Sequence, residues 1–320
     1  MARFVARRLI GMIAVLFAIS VIVFLIFNVI PNSDPAARIA GKNANPELIA
    51  RVSADLGLDR ALPVQYLTMM KQIFTGELTS YASDRNVVEQ IWEGLPATLS
   101  LCIGAAVLWM SLAIVFGYLS AVHAGKFTDR ALTILSLVGI SIPVFWLAAM
   151  LLYYLSYKAQ LFPTSSYVPL TEDPLQWAYH LILPWFTLAV LFIGFYSRVL
   201  RSNMLDAMNE DYVRTARAKG ISERNVLIRH VLRNSMIPII TLFGLDFGAV
   251  VGGGAILTET VYNIDGVGRY AGEAIGSLDL PPLIAVTIFG AFFIVLFNTI
   301  VDILYAVLDP RIRLGEAAPA

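Results

Sequence analysis

Asp246 is the residue placed most like a working group in this chain, because it is the one charge inside the apolar stretch Asn234–Thr258. An ionisable side chain at membrane depth costs roughly 2.5–3.5 kcal/mol unless it is paired or wetted. It must therefore face a helix bundle or a water-filled path. There it could meet an amine on a passing solute, or accept a hydrogen bond from a neighbouring helix. A second acid, Asp302, stands one turn after Asn298 near the end of the last apolar stretch, where a structural role is the simpler reading. The two acids fall at different depths, so they form no catalytic pair. No Gly-x-Ser-x-Gly elbow is present, and no Gly-x4-Gly-Lys-Ser/Thr loop for ATP. His123, His180 and His230 are far apart, and Cys102 is the only cysteine. Neither a metal site nor an internal disulfide is expected.

The elements that carry these residues are membrane helices. Hydrophobic residues make up 58% of the chain and charged residues 14%, against about 25% charged in a soluble domain. The net charge is zero, which argues against nucleic-acid binding. Six stretches approach or exceed the ~20 apolar residues a bilayer requires: Leu9–Ile30, Gly94–Gly125, Ala131–Tyr157, Pro174–Ser197, Asn234–Thr258 and Leu280–Leu308. The first reads as an uncleaved anchor, since its core is too long for a signal peptide. Pro143 should kink the third.

Orientation follows the basic residues. Arg3, Arg7 and Arg8 precede the first span, and Lys126 and Arg130 join the second to the third. Eight Lys or Arg residues, from Arg198 to Arg233, lie between the fourth and fifth, and Arg311 and Arg313 follow the last. Both termini and the basic loop are expected to be cytoplasmic, in a plasma or inner membrane.

Two polar segments carry helix signals. In the long first loop, Asn45-Pro46-Glu47 starts a helix that Gly57 closes, and Pro63 to Phe74 forms a second that Gly76 stops. Val87 to Trp92 forms a third, leading into span two. This cap either fills space over the helix ends or meets a partner that delivers solute. In the basic loop, Asn209 is the expected N-cap, Asp211 suits the first turn, and Gly220 ends the helix in the left-handed conformation. Ser222 caps the next helix. Between them Tyr212, Arg214, Thr215, Ala216, Arg217, Ala218 and Lys219 form about two turns. The small residues Thr215, Ala216 and Ala218 permit close approach by another protein. The competing reading is a basic helix resting on anionic lipid, although only Tyr212 and Val213 are large and apolar.

Gly244, Gly248 and Gly252 recur every four residues in span five. They allow either tight packing within the chain or a pathway-lining helix. The following segment, Glu259–Asp279, is acidic, and Gly266 and Gly268 should give it turns. It reads as an external gate or as an ordinary re-entrant connection.

At the basic loop the chain resembles permease subunits of the dipeptide, oligopeptide and nickel ABC importers. The run Asp211-Tyr212-Val213-Arg214-Thr215-Ala216-Arg217-Ala218-Lys219-Gly220 is similar to that family's version of the EAA loop. Matches continue through His230, Arg233-Asn234, Ile237-Pro238, Ser141 to Phe145, Leu56 to Asp59, Glu259 to Tyr262, Gly266 to Arg269 and Asp309 to Arg313. Arg214 stands where the general pattern has Glu, Gly76-Glu77-Leu78-Thr79 replaces Gly-Asp-Leu-Gly, and Asn86 replaces a common Pro. The resemblance implies an all-α polytopic chain with the type I ABC importer transmembrane fold. It further implies a start and first helix over 1–30, a helical extracytoplasmic cap over 31–93 and a permease core over 94–308. The coupling loop would be 198–233 and the cytoplasmic tail 309–320. Implied partners are a similar second permease, two ATPase subunits holding ATP and Mg, an external solute-binding protein and membrane lipid. The loop helix would be the ATPase-coupling helix, and this chain would bind no cofactor. A membrane enzyme and an ion-driven secondary transporter are the alternatives from other classes.

Overall fold

The computed structural model describes residues 2–28, 45–55, 60–80, 82–164 and 166–308. Twelve helices are distinguished within them: α1 (Ala2–Asn28), α2 (Pro46–Asp55), α3 (Leu62–Thr75), α4 (Val87–Val122), α5 (Phe127–Ser141), α6 (Val144–Lys158), α7 (Pro174–Met208), α8 (Asp211–Ala218), α9 (Glu223–Gly254), α10 (Ile256–Tyr262), α11 (Val267–Ser277) and α12 (Leu280–Leu308). Five are long and apolar enough to cross a membrane by length and composition: α1, α4, α7, α9 and α12.

The third expected span is broken. Helices α5 and α6 meet at 99°, far beyond a kink. Pro143 has no N–H to continue α5 and disfavours the helical conformation of the residue before it. Ile142 accordingly sits at φ −81°, ψ 124°, and α6 restarts after Pro143. The pair makes a sixth span only if it is counted as one bent crossing.

The chain divides into two compact units, residues 1–99 with 247–320, and residues 100–246. In the first unit α1 lies along α12, and Arg8 meets Asp302 at 2.8 Å. Asp302 is thus a structural ion-pair partner. Helix α3 rests on both: Met69 packs with Val23, Phe24 and Ile284. The Tyr66 ring sits edge-on to Phe17 and Phe24, and its hydroxyl bonds the Ser20 hydroxyl at 2.7 Å. Gly76 ends α3 at φ 72°, as its position predicts. The helix expected to begin at Val87 is the first part of α4, not a separate element. Asn86 explains its own departure from the family pattern: its side-chain oxygen accepts the Glu89 amide at 3.0 Å, and its side-chain amide donates to the Gly76 carbonyl. Gly57, Leu56–Asp59 and Asp309–Arg313 lie outside the described residues.

In the second unit α7 is capped by Asp173, which accepts from the Leu175 and Gln176 amides at 2.9 and 3.0 Å. It continues past Ser197 to Met208, so the expected loop over 198–233 opens as helix. The core joins α4, α7, α8 and α9 around Tyr196, Leu200, Met204, Val213, Val226 and Val231. Trp109 stacks on Phe192 at 4.5 Å.

Candidate functional site

Helix α8 runs Asp211–Ala218, and its chain-terminating geometry follows from Gly220 at φ 75°. The Gly220 amide donates to Arg217 O at 2.9 Å and the Ile221 amide to Ala216 O, closing the last turn. Asn209 is not the cap. It ends α7, and its side-chain amide returns to Leu205 O at 3.0 Å, leaving Glu210 at the cap position without a side-chain bond. Ser222 holds the next cap position, also without a side-chain bond.

The helix has two faces. Val213 is 0% exposed and Ala216 5%, both inside the unit's own core with Val226 and Val231. Ala216 therefore points inward, which corrects the expectation that it offers a close approach to another protein. Asp211, Arg214, Thr215 and Ala218 are all exposed and recur at i, i+3, i+4 and i+7, so they share the outward side. Tyr212 and Lys219 flank them. Arg217 is occupied, bonding Glu223 through two nitrogens at 3.1 and 2.7 Å. Arg214 meets Asp211 at 3.2 Å. What remains outward is short, with small side chains at Thr215 and Ala218, Tyr212 at one flank, and at the other the Lys219 ammonium, which meets no acid among the described residues.

Asp246 is half-buried and accepts a hydrogen bond from the Tyr196 hydroxyl at 2.6 Å. The bond to a neighbouring helix foreseen as one alternative is present. Two of the glycines lie at close helix approaches: a methyl at Gly248 would lie 2.9 Å from Phe297 Cβ, and one at Gly252 would lie 2.7 Å from the Gly290 carbonyl oxygen. Gly244 is buried in the same helix but belongs to the other unit.

The segment after α9 is not an open acidic loop. It is a helical hairpin of α10 and α11, and its turn is made by Asn263 in the left-handed conformation, φ 53°. Gly266 has φ −105° and serves close approach: a Cβ there would strike the Glu259 carboxylate. At Gly268 a Cβ would lie 2.9 Å from the same carboxylate. Glu259 itself is 0% exposed. It accepts from the Thr98 hydroxyl at 2.8 Å and the Arg269 amide at 2.9 Å, and burial pushes its carboxyl up to about 7. The exposed acids of the hairpin are Asp265 and Glu273, both held by Arg269 at 2.6 and 2.9 Å. With Arg85, Gln90 and Glu93 they line a polar cleft of about 440 Å³.

Two clusters had no local signal. Thr98 is one. The other is Asp129, which is 4% exposed and takes both Arg201 contacts at 2.6 and 2.7 Å, the Ser120 hydroxyl at 2.5 Å and the Gly125 amide at 2.8 Å. It ties α4, α5 and α7 together. Among the described residues no group of three His, Cys, Asp or Glu is placed to hold a metal ion.

Residues 113–314 match the family described as binding-protein-dependent transport system inner membrane component, and residues 1–102 match the N-terminal part of the same system. The chain is 37% identical over 314 residues to "Probable peptide ABC transporter permease protein y4tP" of Sinorhizobium fredii, covering 98% of this chain and all of that one. It is 35% identical to a dipeptide transport system permease of Alkalihalophilus pseudofirmus, again over 98% of this chain and all of that one. It is 37% identical to a glutathione transport system permease of Salmonella choleraesuis, over 98% and 99%. Full-length similarity at this level, on a chain of apolar helices, makes it a permease subunit that works with other ABC transporter components, ATP hydrolysis falling to them. The chain belongs to the binding-protein-dependent transport system inner membrane component family and has its type I ABC importer fold.

Proposed function

We propose that this chain forms one half of an import pathway for peptides or similar small solutes, with α8 as the seat of an ATPase subunit. The observation that carries the reading is the two-faced build of α8. Its inner face is part of the core shared with α4, α7 and α9, so a push on its outer face is transmitted to membrane helices without an intervening flexible link. With Val213 buried, Tyr212 is the one large apolar side chain of α8 left exposed, short of the several a lipid-resting helix needs, and the small Thr215 and Ala218 suit a protein groove. Peptide transport is the activity named for two of the three relatives, and glutathione, itself a tripeptide, for the third.

The assembly we infer pairs this chain with a homologous permease, two ATPase subunits carrying ATP and Mg, and an extracytoplasmic solute-binding protein. Both termini are cytoplasmic in a bacterial or archaeal inner membrane. The basic residues support that orientation, and the Arg8–Asp302 contact puts the start of α1 and the end of α12 side by side. Asp246 borders the solute path, and the α10–α11 hairpin with Glu259, Gly266 and Gly268 is the external gate. Ala218→Glu tests the docking. The variant should reach the membrane and keep its sister permease while losing the ATPase subunits on co-purification. Retention of the ATPase with normal stimulated hydrolysis would remove α8 from the coupling role.

A further inference from the structure

Glu259 sits where three elements meet. It belongs to α10, just beyond the Gly253 break that ends the α9 span; Gly253 has φ 149° and Ala255 resumes the helix. Its Oε1 accepts from Thr98 on α4, and its Oε2 accepts from the Arg269 amide in the first turn of α11. The Gly268 amide adds a third donor. Thr98 in turn accepts the Val267 amide at 2.9 Å. The first amides of α11, orphaned at any helix start, are thus satisfied from α4 and α10, because the N-cap Gly266 has no side chain to offer. Gly94 lets α4 come this close: a methyl there would lie 2.9 Å from the Val267 nitrogen.

Among the described residues no cation balances this carboxyl. Besides Arg85, which is exposed ahead of α4, the titratable groups on the hairpin and α4 are Arg269, Tyr270 and Glu273 of α11, Asp265 in the turn, Asp279 before α12, Tyr262 of α10, and Glu89, Glu93, Cys102 and Tyr118 of α4. Arg269, the basic one, spends its guanidinium on Asp265 and Glu273. Asp279 is engaged by the Ser80 hydroxyl at 2.5 Å and the Ala82 amide. A fully buried carboxylate without a cation is costly, and a proton removes the cost. The Thr98 hydroxyl can rotate to accept that proton.

We propose that Glu259 and Thr98 are positioning residues that latch the α10–α11 hairpin against α4, and that the latch is closed with Glu259 protonated and released when Glu259 ionises and leaves its pocket. The proposal rests on the importer reading for its consequence, which is that the external gate opens by a pivot at Gly253. The sign follows from the carboxyl being held above the ordinary value of 4.5, at about 7. Closure is favoured most below pH 4.5 and weakens as pH rises to about 7. A difference of that size corresponds to a change of roughly 10²-fold in the closed-to-open ratio.

The test is hydrogen exchange of the full chain in lipid nanodiscs between pH 4.5 and 8, expressed as protection factors so that intrinsic exchange cancels. Protection of the Val267, Gly268 and Arg269 amides should fall about 10²-fold with rising pH in the natural chain. Glu259→Gln, which is neutral at every pH, should flatten that profile near its acid-side level. Thr98→Ser should keep the profile and Thr98→Val should lower protection throughout. Protection that is independent of pH in the natural chain, together with loss of protection in Glu259→Gln, would overturn the proposal and make Glu259 a fixed anionic cap. Exchange reads the hairpin whether or not the chain transports anything, so failure of the latch is separable from failure of the importer reading, which shows in ATP-driven uptake.

Discussion

Substituting glutamate at Ala216 and at Ala218 should separate the two faces of α8. Ala216 is 5% exposed among Val213, Val226 and Val231. A glutamate there adds side-chain heavy atoms to a filled site, which costs about 1–3 kcal/mol as overpacking. It also places a carboxylate among apolar side chains, a penalty of several kcal/mol per ion after relaxation. Only Val213 and Ala216 of α8 are buried in the core, so a penalty of that size at one of them should loosen α8 from it. Ala218 is exposed, and a surface change of this kind stays within about 0.5 kcal/mol. Thermal unfolding of the solubilised chain, followed by size-exclusion chromatography, reads the difference. Ala216→Glu should lower the transition by several degrees and Ala218→Glu should leave it in place, while both lose the ATPase. Equal transitions for Ala216→Glu and the natural chain would refute the inward placement of Ala216.

Three further outcomes follow from the contacts. Gly290→Ala should destabilise the chain by about 1–3 kcal/mol, because its methyl would strike the Gly252 carbonyl oxygen, whereas Gly276→Ala, with nothing near its Cβ, should be neutral or slightly stabilising; thermal unfolding distinguishes them. Arg201→Ala should cost about 3–5 kcal/mol by stranding Asp129, and adding Asp129→Asn should recover part of that loss in the same assay. In a Cys102→Ala background, an impermeant thiol reagent applied to intact cells should label Ala54→Cys and Ser277→Cys but not Lys219→Cys. All three positions are exposed, and Lys219 avoids the strain that a cysteine would meet at the adjacent left-handed Gly220.

The features legible in the sequence are those whose cause is local. Gly220 and Gly76 stop helices because only glycine enters the left-handed conformation cheaply, and Pro143 breaks a helix because it lacks an N–H. The apolar runs expose the spans for the same reason. What stayed hidden depends on partners far along the chain. Glu259 reads locally as one more acid after a span, and its burial follows from Thr98, 161 residues away. Asp129 looks like part of a charged connection until Arg201, 72 residues on, closes over it. Ala216 and Ala218 are indistinguishable by type, and only the phase of α8 against Val226 and Val231 sends one inward. Spacing alone does not show what Gly248 and Gly252 approach; Phe297 and Gly290, far along the chain, are what sit against them.

The most direct test of the central claim is uptake into proteoliposomes that contain this chain, its sister permease and the two ATPase subunits, with loaded binding protein outside and ATP enclosed. Uptake should require ATP hydrolysis and should be abolished by Ala218→Glu while the vesicles retain the permease pair. Uptake by the permease pair alone, driven by an ion gradient without ATPase subunits, would contradict the account.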